Sequence, residues 1–587
     1  MRRPEQLSLD ARLAAAPAHP GTAAPRPPRE RAPRPTIETS RNRLLVTGAV
    51  FAVLFLTLVG RLVQVTLIER GEPALVRASG QQVLAEGRAD VVDRNGVLLA
   101  TNLATASLYA NPKRVLDRDE AARKLSRLLP ELSYASVLAK LKSGRSFVWI
   151  KRNLTPRQHY AVNRLGLPGL AFQNEWRRVY PQGRLAAHAL GFTGIDNRGL
   201  AGVEQYFDDR LTDPRAARHG ALELALDLRI QHVVREELAR AVADFRTVGA
   251  GGVVLDARSG DVLALVSLPD FEPNRIASSA AEARFNRVTL GVYELGSVFK
   301  TFTVAMALEG GRVALSDGYD VANPIRVAKF VIRDLHAKKR WLTLPEIFVY
   351  SSNIGAAKVA LEVGAVDQKN FLESLGLLRR ADIELPEVGL PLYPTRWRDI
   401  NTMTIGFGHG IAVSPLQLAS GVAAVVNGGV LVPATLLKRH NGEEVTARRV
   451  MSRRTSAVMR RLLRLVVEHG TGKRASAQGY LVGGKTGTAE KAGRGGYRKE
   501  ALISSFVGVF PMTAPRYVVF IMLDEPKGTK ATHGFAGGGW TAAPVVSRVV
   551  SRVAPILGVE PVDETGPEIR RAMGLGDEAG AAKLASF

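Results

Sequence analysis

Three short patterns hold residue types that can carry out nucleophilic acyl chemistry. The first is Ser297-Val298-Phe299-Lys300, which follows Gly296 at the start of an apolar, helix-like run ending near Glu309. At a spacing of three, a hydroxyl and an amine lie on one helix face. A neutral amine placed there can take the proton of an otherwise weak nucleophile. Alone, the pattern is equally an ordinary helix start. The second is Ser351-Ser352-Asn353, just before a helical Ile354 to Leu361. A hydroxyl and an amide there can relay a proton and hold a substrate amide, or simply cap the helix. The third is Lys485-Thr486-Gly487-Thr488, preceded by Gly483-Gly484. A lysine and two hydroxyls on an edge strand can grip a carboxylate, and glycine lets a substrate backbone approach. Lys142-Ser143-Gly144 is a rival to this third pattern and reads as a surface turn.

Residues 479–486 also match G-x-x-x-x-G-K-[ST]. A phosphate loop must continue into a helix whose N-terminus faces the phosphates. Here Gly487-Thr-Ala-Glu-Lys-Ala-Gly follows, which is no helix, so the nucleotide reading is set aside.

The elements around these patterns are hairpins and helices without regular strand–helix alternation. Ile230 to Ala243 has helical periodicity. Residues 252–266 read as two strands about a Ser259-Gly260 turn, and 505–510 with 517–523 as another hairpin. Val545 to Val553 reads as a closing helix. Asp93-Arg94-Asn95-Gly96 marks a hairpin earlier in the chain. The expected fold is α+β, an antiparallel sheet flanked by helices.

The chain has 587 residues and a formal net charge of +25, which favours anionic neighbours. No cysteine is present, so disulfides, thiolate catalysis and zinc–thiolate sites are excluded. Residues 1–43 are rich in proline and carry nine arginines against four acids, the composition of a disordered basic tail. Leu44 to Gly60 is uncharged, and apolar character continues to Ile68, long enough to cross a bilayer. Arg41 and Arg43 predict a cytoplasmic tail and an exported remainder. That topology turns the charge toward lipid head groups and wall polymers and away from nucleic acid. The expected organisation is a tail (1–43), a transmembrane helix (44–68), a first exported domain (69–220), a domain bearing the three patterns (222–560) and a loose C-terminal tail (561–587).

Together and in this order, S-x-x-K, S-x-N and K-T-G resemble the active-site signature of penicillin-binding proteins and serine β-lactamases. The resemblance extends to Arg88-x-x-x-x-Asp93-Arg94-Asn95-Gly96, Arg178-x-Tyr180-Pro181-x-Gly183, Gly199-x-x-Gly202-x-Glu204, Gly406-Phe-Gly-His-Gly, Ser414-Pro415-Leu416-Gln417-Leu418 and Asn427-Gly428-Gly429. These are similar to the pedestal and transpeptidase domains of class B penicillin-binding proteins over about residues 45–555. Ala89 stands where the family usually has glycine. Ser-Ser-Asn with a single anchor resembles the septal, FtsI-type members more than the rod-elongation type.

The resemblance implies a peptidoglycan D,D-transpeptidase that crosslinks stem peptides through a serine acyl-enzyme during septum formation. It implies Ser297 as nucleophile, Lys300 as base, Ser351 as proton relay to the departing D-alanine and Asn353 as orienting amide. Lys485, Thr486 and Thr488 would bind the terminal carboxylate, with Gly487 giving access, and the N–H groups of Ser297 and Thr488 would form an oxyanion hole. It implies no metal or cofactor, stem peptides and β-lactams as ligands, a membrane glycosyltransferase and other division proteins as partners, and anchorage in the inner membrane with a periplasmic catalytic domain. An elongation-type transpeptidase, a D,D-carboxypeptidase, a penicillin sensor and a division scaffold are the alternatives.

Overall fold

A computed structural model describes residues 37–63, 87–213, 220–327, 330–439, 445–493 and 496–573. The chain divides into two units, 1–83 and 84–587. In the first, helix α1 (Ile37–Val63) begins just after Pro35, the last proline of the N-terminal segment. Nothing beyond that proline bars a helix, so α1 takes in residues 37–43, which the composition assigns to the tail. Over 45–60 its apolar side chains are exposed on every side. Among the described residues no helix is long and apolar enough to cross a membrane; the expected span 44–68 lies partly outside them.

The second unit opens with a small sheet set by turn chemistry. β1 (Val91–Val92) and β2 (Leu98–Ala110) pair antiparallel. Between them the Asp93 carboxylate accepts the N–H groups of Asn95 and Val97, an Asx turn. β2 also pairs with β3 (Val148–Leu154) and β4 (Leu170–Val179), and β5 (Leu222–Glu223) runs parallel to β1. Three motif residues far apart in sequence meet beneath this sheet. The buried Glu204 carboxylate accepts from Arg88 Nε and from Arg178 Nε, the latter at 2.6 Å. The other oxygen of Asp93 caps the Leu228 N–H at 3.1 Å, tying this domain to the first helix of the next.

Removing Glu204 leaves two guanidinium groups buried without their shared counter-ion. We expect Glu204→Ala to cost about 3–5 kcal/mol, read as a lowered unfolding midpoint in calorimetry. An unchanged midpoint would show the cluster to be energetically idle.

The larger domain is built on a five-stranded antiparallel sheet. Its strands are β6 (Gly249–Asp256), β7 (Val262–Leu268), β8 (Gly483–Gly493), β9 (Gly496–Phe510) and β10 (Tyr517–Asp524), in the order β8-β9-β10-β6-β7. The helices that bear on the site are α2 (Leu228–Phe245), α3 (Lys300–Glu309), α4 (Leu344–Tyr350), α5 (Asn353–Val363), α6 (Pro415–Val426) and α7 (Ala542–Ile556). Alternate residues of β6 serve two cores. Val254 joins Val234 and Leu238 of α2 and Val545 of α7, whereas Val253 and Leu255 join Phe302 of α3 and Leu418 and Val422 of α6. With both faces covered, the strands read as continuous apolar runs.

The C-terminal segment departs from the expected loose tail as far as residue 573. The Glu564 carboxylate accepts the Gly479 N–H at 3.0 Å and pairs with Arg464. A short helix, α8 (Pro567–Ala572), follows, and Met573 is buried against the core. These apolar and charged anchors are too sparse for composition to reveal.

Candidate active site

Ser297 sits on a 3-10 turn, Gly296–Phe299, that leads directly into α3. In a 3-10 turn residues i and i+3 eclipse, which stacks Lys300 under Ser297. Gly296 has φ +58°, and a Cβ there would lie 2.5 Å from Thr488 O. Only glycine lets the turn press against β8 this closely. Lys300 Nζ lies 2.7 Å from Ser297 Oγ, 2.7 Å from Asn353 Oδ1, 2.9 Å from Ser351 O and 3.2 Å from Ser351 Oγ.

Lys300 is fully buried. Burial first, and then the charge of Lys485, hold its ammonium well below the usual lysine range, with Asp334 opposing. A neutral amine has two N–H donors and one lone pair. Ser351 O and Asn353 Oδ1 are acceptors only, so they take the two donors. The lone pair is left for a hydroxyl, and Ser297 is the nearer one. The Asn353 amide cannot be turned round without loss, because its Nδ2 donates to Arg333 O at 3.0 Å.

The second pattern divides its labour. Ser352 is the helix cap: its Oγ accepts the Gly355 N–H at 2.9 Å. Ser351 and Asn353 on either side are thereby free for the cleft. Ser351 is left-handed (φ 61°, ψ 42°) and ends α4, a conformation costing a non-glycine residue about 1 kcal/mol or more. It brings the Ser351 carbonyl and hydroxyl to the same amine. Asp334, which no sequence signal marks, clamps the segment. Its carboxylate accepts from Ser352 Oγ at 2.7 Å, Asn353 N at 2.6 Å and Ile354 N at 2.9 Å.

The third pattern lies on the edge strand β8 and continues as strand beyond Thr488. No helix follows Lys485, so the arrangement a phosphate loop needs is missing here. Lys485 is fully buried, and its Nζ donates to Ser351 Oγ at 2.9 Å. Burial lowers its pKa to about 7. The Ser351 hydroxyl therefore bridges the two lysines. Thr486 Oγ1 shares a hydrogen bond with Thr471 Oγ1 at 2.8 Å, and Thr488 Oγ1 accepts the Gly538 N–H at 3.0 Å. A Cβ at Gly487 would meet Leu295 O at 2.4 Å and Ser505 Oγ at 2.3 Å. The position is closed to any side chain by the turn that presents Ser297.

The structure thus brings Ser297, Lys300, Ser351, Asn353 and Lys485 into one hydrogen-bonded cluster, flanked by Thr486, Gly487 and Thr488. The rival Lys142-Ser143-Gly144 lies at the end of a short helix in the smaller domain. Beside the cluster, a residue of the Gly406-Phe-Gly-His-Gly motif meets one that no motif marks. His409 packs edge-on to Phe407 and Tyr497, and its Nδ1 lacks a partner. Burial, reinforced by any charge on Lys300, lowers its pKa to about 4. Glu294, raised by burial, accepts from Gly410 N and Tyr497 OH, each at 3.0 Å. Tyr497 comes from β9, so this contact spans a large part of the chain, and only folding reveals it.

The chain is similar to known proteins along most of its length. The profile of the penicillin binding protein transpeptidase domain matches residues 250–550, and that of the penicillin-binding protein dimerisation domain matches 84–216. A Caulobacter vibrioides protein named probable peptidoglycan D,D-transpeptidase FtsI is 40% identical over 84% of this chain and 85% of its own length. Peptidoglycan D,D-transpeptidase FtsI of Escherichia coli is 30% identical over 84% of this chain and 87% of its own. Among solved structures, the transpeptidase domain of Burkholderia pseudomallei penicillin-binding protein 3 matches with TM-score 0.52 at 33% identity, covering 58% of this chain and 98% of that one. A peptidoglycan synthetase from Bifidobacterium adolescentis, at 22% identity, shares the fold with TM-score 0.64 over 83% of this chain and 98% of its own. With its dimerisation-type domain ahead of a transpeptidase domain, the chain belongs to the class B penicillin-binding proteins, FtsI type.

Proposed function

We propose that the chain is a septal peptidoglycan D,D-transpeptidase acting through an acyl-Ser297 intermediate. The observation that carries this is the lone pair of Lys300: its two donors are taken by Ser351 O and Asn353 Oδ1, and Ser297 Oγ lies 2.7 Å away.

Ser297 Oγ attacks the carbonyl carbon between the two terminal D-alanines of a donor stem peptide, and its proton passes to Lys300 Nζ. The carbonyl electron pair moves onto oxygen, held by the N–H groups of Ser297 and Thr488. As the tetrahedral centre collapses, the C–N bond breaks. The proton travels from Lys300 through the Ser351 hydroxyl to the departing amine, and free D-alanine leaves. The amine of a second stem peptide then attacks the ester, forming a new amide and returning a proton to Ser297. Lys485, Thr486 and Thr488 hold the donor's terminal carboxylate, and Asn353 orients Lys300 while reaching the donor's amide. The names of the two FtsI relatives support the substrate class and the division role.

The test is product analysis with a pentapeptide donor and an amine acceptor. Crosslinked dimer and free D-alanine should appear together in mass spectrometry. D-Alanine without dimer would mark a carboxypeptidase.

We place residues 44–68 across the inner membrane, the tail in the cytoplasm and the catalytic domain in the periplasm. Support comes from the all-round apolar exposure over 45–60, the mark of a membrane helix when not buried in protein, and from Arg41 and Arg43 on the N-terminal side. Glycan polymerisation then falls to a membrane glycosyltransferase partner. Protease added to spheroplasts should remove everything beyond residue 86 and spare the tail. A protected catalytic domain would refute both the topology and the wall-facing role.

A further inference from the structure

The loop 333–340 joins the strand Phe330–Ile332 to the strand Trp341–Thr343, which leads into α4. Its base is fixed to the reacting cluster. Arg333 O accepts from Asn353 Nδ2 at 3.0 Å, and Asp334 takes its three hydrogen bonds from Ser352, Asn353 and Ile354. Every residue from Leu335 to Arg340 is exposed, as is Arg333. An exposed cationic run thus starts one hydrogen bond from the amide that orients Lys300.

The fold does not balance the charge of this run. Arg340 pairs with Glu346 at 2.7 Å, and the Asp334 carboxylate is engaged by the segment 352–354. Arg333, Lys338 and Lys339 have no ion-pair partner among the described residues. Lys338 Nζ stands 4.4 Å from the centre of the Tyr350 ring. Tyr350 directly precedes Ser351, so a neutral ring, and no carboxylate, holds this ammonium beside the cluster. Like charges gathered on one loop repel each other, and an anionic ligand relieves that repulsion. Leu335 (83% exposed) and Trp341 (66% exposed) flank the cations. The surface therefore suits a ligand that carries carboxylates and alkyl groups together.

We propose that the loop 333–340 binds the acceptor stem peptide, with Arg333, Lys338 and Lys339 receiving its carboxylates and Leu335 and Trp341 its alkyl groups. The inference rests on the transpeptidase reading, which brings two peptides to one serine. The donor's terminal carboxylate goes to Lys485, Thr486 and Thr488 on β8. The second peptide has to reach the same ester from the side that β8 and the donor leave open. That is the Asn353 side, where the loop is anchored. A stem peptide carries carboxylates along its length as well as at its end, so cations placed there have a partner in the acceptor.

The test uses the full-length chain in detergent, a pentapeptide donor and two acceptor stem peptides. One acceptor has free carboxylates, and the other has the same carboxylates amidated. In the double variant Lys338→Gln, Lys339→Gln, KM for the free-carboxylate acceptor should rise about fivefold or more, since two exposed charge contacts of modest individual strength are lost. KM for the amidated acceptor should stay put. Acylation by penicillin, which needs no acceptor, should keep its rate, and the unfolding midpoint should not move. Replacing both lysines by glutamate should raise the first KM further, and added salt should narrow the gap to the wild type. An unmoved KM, or equal losses with both acceptors, overturns the proposal. A rise in the donor's KM alone assigns the charges to the donor and overturns it as well. Wild-type protein that penicillin fails to acylate at Ser297 would instead sink the transpeptidase reading, so the two failures are told apart.

Discussion

Ser297→Ala should abolish labelling by fluorescent penicillin while leaving the protein folded. A β-lactam offers a strained amide and a carboxylate, the two features the cluster is arranged to receive. Attack by Ser297 opens the ring, and the amine that leaves stays tethered, so it blocks the entry of water or acceptor and the adduct persists. Alanine is a good helix former, and Ser297 makes no contact on which the turn depends beyond the Lys300 amine. Lys300→Ala should slow labelling by about 10²–10⁴-fold, the usual worth of positioned proton transfer. Denaturing gels and peptide mapping read both results. A label that survives in folded Ser297→Ala, or maps to another residue, overturns the assignment of the nucleophile.

The rate of acylation should rise and then fall with pH, because the two buried lysines must be in opposite states. Lys300 has to be neutral to accept a proton, and its pKa lies well below the ordinary lysine value. Activity is therefore lost as pH falls through that lowered pKa. Lys485 has to be charged to hold a carboxylate, and its pKa in the free protein is about 7. Capture is lost as pH rises through that value, and a bound carboxylate moves this limb upward. Lys485→Ala should weaken capture at least tenfold. Because the Lys485 charge also depresses Lys300, the same variant should move the acid limb to higher pH. Stopped-flow acylation by a chromogenic cephalosporin checks both; an acid limb that does not move would mean that burial alone sets Lys300. The sign for stability follows from the same groups. Both lysines bind protons more weakly folded than unfolded, so between about pH 7 and the ordinary lysine pKa the unfolded chain holds more protons. Thermal stability should rise across that window.

Much of this site could be read from short-range chemistry. The hydroxyl–amine pair at 297 and 300, the hydroxyl and amide at 351 and 353, and the lysine at 485 fall within patterns that a linear reading captures. So do the hairpins β6–β7 and β9–β10, whose apolar runs end in clear turns. The positioning groups were not readable. Asp334 acts through three hydrogen bonds to a segment that lies beyond an intervening helix, α4, and nothing in its own neighbourhood announces this. His409 and Tyr497 meet only because β9 runs past the cleft. The middle serine of Ser351-Ser352-Asn353 shows the limit well: capping and catalysis are alternatives in the sequence, but in the structure the cap falls to Ser352, and the Ser351 hydroxyl and the Asn353 amide turn to the Lys300 amine.

The close seam between the turn that carries Ser297 and β8 also bears on how such a protein can drift over generations. At Gly296 and Gly487 an added methyl group would sit 2.5 Å or less from backbone or hydroxyl oxygen, so ordinary point substitution has no tolerated outcome there. An inhibitor that imitates the donor peptide presses on this immovable seam and on Lys485, where escape destroys the chemistry as well. Viable escape has to arise at the rim, where Tyr497 is exposed and can change shape without disturbing the attack. Selection by such compounds should therefore leave the floor of the cleft unaltered and accumulate its record along the loops that border it.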